Sequence, residues 1–460
     1  MHLKSSNSAN RDLPPVPVAA ADLSPPGYNE HAPPQIILPA KSAPLFFLFL
    51  GMLFIALAFV FNTPGQLFTG SIKILTSPAN LLTDYIQLSN LGAAFLNAGM
   101  MTLASIALLK ICDAEITGPL AAAVFTVAGF SFFGKNLYNS LPITFGVFLY
   151  AKLARAPFAR YLTAALFGSS LGPLVSELSF NIGLPVWQGI LLGIPAGIAV
   201  GIVLPPLTEH FKKFHNGFSL YATGFTAGIV GMFVLALLRS VGVDVLTVSI
   251  VSSGNNPALS IFLYSLFFAM LLLGVYKNGW CFSGLGKLMK ETGQGAPDFL
   301  KTMAPGVILI NMALLGILMT TYVLLMGGQL NGPTMGGVFT VVGFGAAGKH
   351  AKNVTPILAG VVAAKMVNIY DPSSTAALLA ALFGTTLAPI AGGYGIVYGA
   401  AAGFLHMAVT MNLAYLHGGM NLYNNGFSGG FIAAGLVPLI DAVIRIRKNR
   451  WNQPTEGTKD

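Results

Sequence analysis

From residue 44 almost to the end of the chain, long apolar runs alternate with short polar turns. The runs fall near 44–62, 91–112, 117–133, 141–155, 161–179, 185–206 and 217–240. A second set follows near 258–276, 304–327, 333–348, 354–370, 374–390, 394–413 and 427–445. A helix needs about 20 mostly apolar residues to cross the hydrocarbon of a bilayer. The pattern therefore predicts an all-α integral membrane protein of about 14 transmembrane helices, seven in each half. The runs 141–155 and 333–348 are short and rich in glycine, which suits broken or re-entrant helices.

The two sets are copies of one another. Gly118-Pro119, Val124-Phe125-Thr126-Val127, Gly129-Phe130 and Gly134-Lys135 return as Gly332-Pro333, Val338-Phe339-Thr340-Val341, Gly343-Phe344 and Gly348-Lys349, at a constant offset of 214. Ala164-Ala165-Leu166-Phe167-Gly168 returns as Ala380-Ala381-Leu382-Phe383-Gly384, and Asn216-Gly217-Phe218-Ser219 as Asn425-Gly426-Phe427-Ser428. In an apolar chain, a repeat of this length points to a transporter or channel built from two related halves.

Loop charge orients the halves. Lys152, Arg155 and Arg160 follow the fourth run, whereas the matching Asn368-Ile369-Tyr370-Asp371-Pro372 has no basic residue. Lys212 and Lys213 precede Asn216, and their counterpart near Asn425 carries only His417. Between the third and fourth runs the bias reverses, with Lys135 against Lys349, His350 and Lys352. Basic loops stay cytoplasmic. That rule places the halves upside down relative to one another, with both termini, loop 277–301 and the cluster Arg445, Arg447, Lys448 and Arg450 inside, in a cytoplasmic (inner) membrane. The division expected is a disordered proline-rich tail (1–42), a first repeat (43–242), a connecting span and loop (243–303), the rest of the second repeat (304–445) and a basic tail (446–460). The first tail does not read as a cleavable signal, because its polar stretch is long and its first apolar run starts late.

Composition agrees. Charged residues make up 8% of the chain and hydrophobic ones 54%, against about 25% charged in soluble domains. The net charge of +9 lies in short loops rather than in a basic patch, which excludes nucleic acid. Cys112 and Cys281 have no metal-ligand or disulfide spacing. No cofactor or enzyme motif is present, and carboxylates are too sparse for paired acid–base chemistry. Lipid is the implied solvent, and a small solute, with H+ or Na+ as coupling ion, the implied partner.

The candidate site residues come from the repeat. Gly118-Pro119 and Gly332-Pro333 open the third run of each half, where proline suits a first helical turn. Such segments either break a helix at a transport site or only permit close packing. Asn216-Gly217-Phe218-Ser219 and Asn425-Gly426-Phe427-Ser428 have the residue types of a helix start, either an ordinary cap or a half-helix facing a ligand with its positive dipole end. Gly193-x3-Gly197-x3-Gly201 and Gly395-x3-Gly399-x3-Gly403 read as packing faces near the contact between halves, and permit a homodimer. Glu177, Lys365 and His406 are ionisable groups within apolar runs, and such groups usually face a cavity or a partner. Glu177 is a candidate proton carrier and Lys365 a candidate attractor for an anionic solute.

Gly332-Pro333-Thr334 with Gly348-Lys349-His350, and Asn425-Gly426-Phe427-Ser428-Gly429-Gly430, resemble an uncharacterised family of bacterial multi-pass membrane proteins, known only as a domain of unknown function. The resemblance covers about 44–445 and implies a membrane location without an activity. In architecture alone the chain is similar to the nucleobase and sulfate transporter fold, and more distantly to five-span urea channels. The leading expectation is a secondary transporter of a small polar or anionic solute. The alternatives are a passive urea- or ammonium-type channel and a membrane scaffold or sensor.

Overall fold

The computed structural model describes residues 42–364, 366, 367 and 370–452. The expected N-terminal tail before Ser42, Lys365, and residues 453–460 of the basic tail lie outside them.

Helices account for nearly all of the structure. The first half runs α1 (Ser42–Phe61), α2 (Pro64–Thr76), α3 (Tyr85–Leu88), α4 (Leu91–Ile111), α5 (Gly118–Phe130), α6 (Leu137–Leu153), α7 (Leu162–Gly168), α8 (Gly172–Phe180), α9 (Val186–Lys212) and α10 (Ala222–Ser240). The second runs α11 (Asn256–Lys277), α12 (Leu285–Leu288), α13 (Phe299–Thr302), α14 (Pro305–Leu325), α15 (Gly332–Phe344), α16 (Ala351–Ala364), α17 (Thr375–Gly384), α18 (Ala388–Tyr394), α19 (Ile396–Thr410) and α20 (Asn424–Asn452). Two-residue strands β1 (Leu82–Thr83) and β2 (Ser249–Ile250) pair in parallel.

Each apolar run falls on one of these helices or on a kinked pair. Runs 161–179 and 374–390 are α7–α8 and α17–α18, each pair joined by a 3-10 turn. Among the described residues, eight helices are long and apolar enough to cross a membrane. Leu45, Phe49, Leu191, Ile261 and Phe268 project from them as exposed apolar side chains, a surface that lipid would cover. The chain is an all-α membrane protein. Helices α5 and α15 have 13 residues each, about 20 Å at 1.5 Å per residue, which is well short of a full crossing.

The halves meet through equivalent elements. Helix α1 packs on α4 as α11 packs on α14, and α6 on α9 as α16 on α19. On the pseudo-two-fold axis, α5 packs against α15 and α10 against α20. The first of these pairs is antiparallel: Gly118 lies against Ala346, Ala122 against Gly343, and Gly129 against Gly336. A two-fold axis that makes equivalent helices antiparallel runs across them, not along them.

The ends of this central pair are held by carboxylates from opposite halves. Asp84 caps α3 and its equivalent Asp298 caps α13. Asp298 Oδ1 accepts from Gly118 N–H at 2.7 Å, and Gly332 N–H is directed to Asp84. Free amides at a helix N-terminus favour an anion, and here the protein supplies it. Helix α5 thus starts at Gly118, with Pro119 in a first turn that needs no donor, and α15 repeats the construction.

A Cβ at Gly129 would lie 2.9 Å from both Gly336 Cα and Phe339 Cβ. Gly129→Ala is therefore expected to cost about 1–3 kcal/mol of stability by overpacking. Gly435→Ala, where a Cβ meets nothing within 4 Å, should be neutral or slightly stabilising. Thermal unfolding of the two variants in detergent checks this contrast.

One expectation about the glycine faces is corrected. Gly193, Gly197 and Gly201 pack on Val175, Ser179, Pro142 and Ile143 of the same half. Gly399 and Gly403 likewise pack on Ala391, Pro356 and Ile357, while Gly395 is open. These faces are occupied within each half and not at the contact between halves, because α9 and α19 are wedged beside their own α6–α8 and α16–α18.

Candidate functional site

Beyond Phe130 the chain turns back at Ser131–Asn136, and it does the same beyond Phe344. A helix that stops inside an apolar body leaves carbonyls needing donors. The amide of Asn97 on α4 donates to Ser131 O and Lys135 O at 2.7 and 2.9 Å. Asn311 on α14 does the same for Gly345 O and Lys349 O, at 2.8 Å each. The turn requires a left-handed residue, which Gly134 (φ 64°) and Gly348 (φ 107°) provide.

The following lysine points inward in both copies, with Lys135 at 1% and Lys349 at 0% exposure. Lys349 Nζ donates to Tyr221 Oη at 2.5 Å and to Thr385 Oγ1 at 2.6 Å. It also sits 4.5 Å from the Tyr221 ring centre and 5.3 Å from that of Phe344, within cation–π range. Lys135 Nζ instead donates to Leu166 O at 3.1 Å. Among the described residues, no ion pair forms at either lysine. Two buried lysine amino groups without a carboxylate are costly in an apolar interior, which makes this centre the candidate site.

Aromatic rings close around the axis. Tyr221 and Tyr423 lie 5.1 Å apart, Tyr221 is 4.8 Å from Phe344, and Tyr423 is 4.7 Å from Phe130. Phe167 stacks on Phe344 at 5.6 Å, and Phe383 meets Phe130 at 5.7 Å. The segments bearing the tyrosines are pinned across the halves, Leu220 N–H to Thr386 O and Leu422 N–H to Ser170 O. Tyr221 and Tyr423 are thus equivalent at an offset of 202, as are Leu220 and Leu422, His215 and His417, Thr208 and Thr410.

A cavity of about 310 Å³ descends to this centre from one end of the molecule. Arg160, Lys212 and Glu209 stand at its mouth, Thr208 and His215 on its wall, and Phe167, Phe344 and Tyr221 at its floor. Gly295 and Ala296, from the loop before α13, complete the same end. The equivalent path from the other end is packed shut. Thr163, Ala164, Ala222 and Thr223 are half-buried, whereas their counterparts Leu379, Ala380, Asn424 and Asn425 are buried.

The expected site residues divide between cavity and packing. Pro119, Gly217 and Ser219 line the cavity. Gly118 and Gly332 do not, because their amides are turned to Asp298 and Asp84; Pro333 is buried. Asn216 is exposed at a left-handed turn (φ 48°) and Phe218 packs on Tyr394. Neither Asn216 nor Gly217 starts a helix, since α10 begins three residues after Ser219. Asn425, Gly426, Phe427 and Ser428 lie inside the first turns of α20.

The pairing of the two Asn-Gly-Phe-Ser segments is therefore corrected. At the offset of 202, Gly426-Phe427-Ser428 matches Gly224-Phe225-Thr226, and the tetrapeptide identity joins positions that are not equivalent. Asn425 Oδ1 bonds to His406 Nε2 at 3.0 Å, and Ser428 Oγ to Thr410 Oγ1. Glu177 is buried on α8, where Asn181 Nδ2 donates to it at 2.7 Å, and is not among the cavity residues. Lys365, the expected attractor for an anionic solute, lies outside the described residues.

Sequence reasoning took Lys135 and Lys349 only as loop charges. The available signal was their presence inside the longest repeated stretch, directly after a repeated glycine.

The family model for a protein of unknown function (DUF1576) matches residues 63–240 and 277–442, one region in each half and well over half of the chain. The chain belongs to this family. No curated protein and no solved structure matches it.

Proposed function

We propose that the chain is a secondary transporter of a small polar or anionic solute, working by alternating access between two halves inverted across the cytoplasmic membrane. The observation that carries this reading is the one-sided cavity: equivalent residues form an open path in one half and a sealed one in the other. Two related halves can exchange these roles, which turns the same centre toward the opposite side. A channel needs a path open at both ends, so the sealed side favours a carrier. The buried ammonium of Lys349 beneath the cavity floor favours an anion.

In this reading the kinked and short helices complete fourteen membrane-embedded elements, and the cavity opens to the cytoplasm. Arg160, Lys212 and Lys213 lie at that end, as basic cytoplasmic loops require. In a C112A/C281A background, Lys213→Cys and Tyr415→Cys are both well placed for thiol labelling, since both side chains are exposed. In intact cells an impermeant reagent should label position 415 and leave 213 untouched. Labelling of 213 from outside overturns the orientation. Counterflow of labelled solutes in proteoliposomes tests transport itself: saturable exchange supports the carrier, and flux linear in concentration supports a channel.

A further inference from the structure

On the wall of the open cavity, Thr208 and His215 are 5% and 2% exposed. Neither the Thr208 hydroxyl nor either ring nitrogen of His215 has a hydrogen-bond partner in the protein. Buried polar atoms almost always have partners, and leaving one without costs about 1–3 kcal/mol. The equivalent pair on the sealed side is bonded. Thr410 Oγ1 meets Ser428 Oγ and, at 3.1 Å, His406 Nε2, while His417 Nε2 meets Asn424 Oδ1 at 3.0 Å.

The sequence explains the difference. At the offset of 202, Asn424 becomes Ala222 and His406 becomes Leu204, and Thr226, in place of Ser428, spends its hydroxyl on Ala222 O. Both halves keep the Thr–His pair and its ring neighbour, His215 beside Phe225 and His417 beside Phe427. Only one half keeps the side chains that bond the threonine hydroxyl and the histidine Nε2; the His417 Nδ1 has no partner either.

We propose that Thr208 and His215 bind the carboxylate of a small organic acid whose flat apolar body lies against Phe167, Phe344 and Tyr221. The inference rests on the transport reading and names its substrate class. The Thr208 hydroxyl and an imidazole N–H can both donate. Arg160 and Lys212 outnumber Glu209 at the mouth. Unpartnered donors on one cavity wall and an excess of cations at its mouth suit a group that only accepts, and a carboxylate is the planar organic example. The aromatic floor and the cavity volume of about 310 Å³ leave room for a single ring beneath it.

The test uses detergent-purified full-length protein, with benzoate as probe and benzamide as its neutral isostere, read by isothermal calorimetry and thermal shift. Benzoate should raise Tm in a concentration-dependent manner and bind at least tenfold tighter than benzamide. Thr208→Val and His215→Phe should each weaken benzoate tenfold or more while leaving the unliganded Tm unchanged or higher. His215→Gln, which keeps a donor, should recover part of the affinity. Thr410→Val, on the sealed side, should lower the unliganded Tm and leave benzoate affinity intact. Absence of a benzoate shift, equal binding of benzamide, or wild-type affinity in both cavity variants overturns the proposal. Benzoate binding without counterflow in liposomes would retain the pair and remove the carrier reading. Counterflow of another solute, untouched by both variants, would do the reverse.

Discussion

Lys349→Met is expected to reduce transport about 100-fold or more while leaving thermal stability unchanged or raised. The two effects separate because the side chain has two roles. Its ammonium makes hydrogen bonds of 2.5 and 2.6 Å to Tyr221 and Thr385. A hydrogen bond to a charged group is worth about 1.5–3 kcal/mol, so loss of an equally strong interaction between this side chain and the transported anion costs, at about 1.4 kcal/mol per factor of ten, up to about two decades in transport. The same ammonium lacks a carboxylate partner and is fully buried, so its replacement by an apolar chain of similar length removes a desolvation cost. A lysine kept only for packing would give the opposite pattern, with Tm falling and the transport rate per folded molecule preserved. Initial rates in proteoliposomes, normalised to folded protein, together with thermal unfolding, distinguish the two.

Asp84→Ala is expected to be the most destabilising single substitution named here, at about 3 kcal/mol or more. The carboxylate is completely buried. It accepts from Ile86 N–H at 2.9 Å, and from Ser252 N–H and Oγ at 2.9 and 2.6 Å. Gly332 N–H, the first amide of α15, is also directed to it. Alanine leaves all four donors without an acceptor, each costing about 1–3 kcal/mol where water does not reach it. Asp298→Ala provides the internal comparison. Its side chain is 18% exposed and accepts from Gly118 and Leu300 N–H, so the expected loss is near the value of about 1 kcal/mol for an ordinary helix cap. Equal losses at the two positions, measured by thermal unfolding, would contradict the account of how the halves are joined.

Much of the architecture is written in local pattern. Apolar runs separated by polar turns located the long helices, though not α2, because a bilayer demands the same length and polarity of every crossing. The recurrence of Gly118-Pro119 through Gly134-Lys135 at a fixed offset located the central pair, since both copies perform the same task on the axis. Helix starts at Gly118 and Gly332 followed from proline in the first turn.

Other features arise only when distant segments converge. Hydropathy cannot separate α5 and α15, which stop short, from helices that cross completely, because both are uniformly apolar. Matching tetrapeptides misplaced Asn216-Gly217-Phe218-Ser219: the offset contracts from 214 to 202 where the second half is shorter, and short identities do not register that change. The burial of Lys349 depends on Tyr221, Phe344 and Thr385, and that of Lys135 on Leu166, all brought from other segments. The partners of Thr410 and His417 come from α19 and α20 of their own half, and the substitutions at Ala222 and Leu204 remove them at Thr208 and His215, but which nitrogens and hydroxyls meet is visible only once those helices pack. Sequence alone thus determined which segments enter the membrane and that they do so twice. Tertiary packing decided which of two equivalent paths is open and which side chains face it, since hydrogen-bond satisfaction is a property of neighbours in space and not of neighbours along the chain.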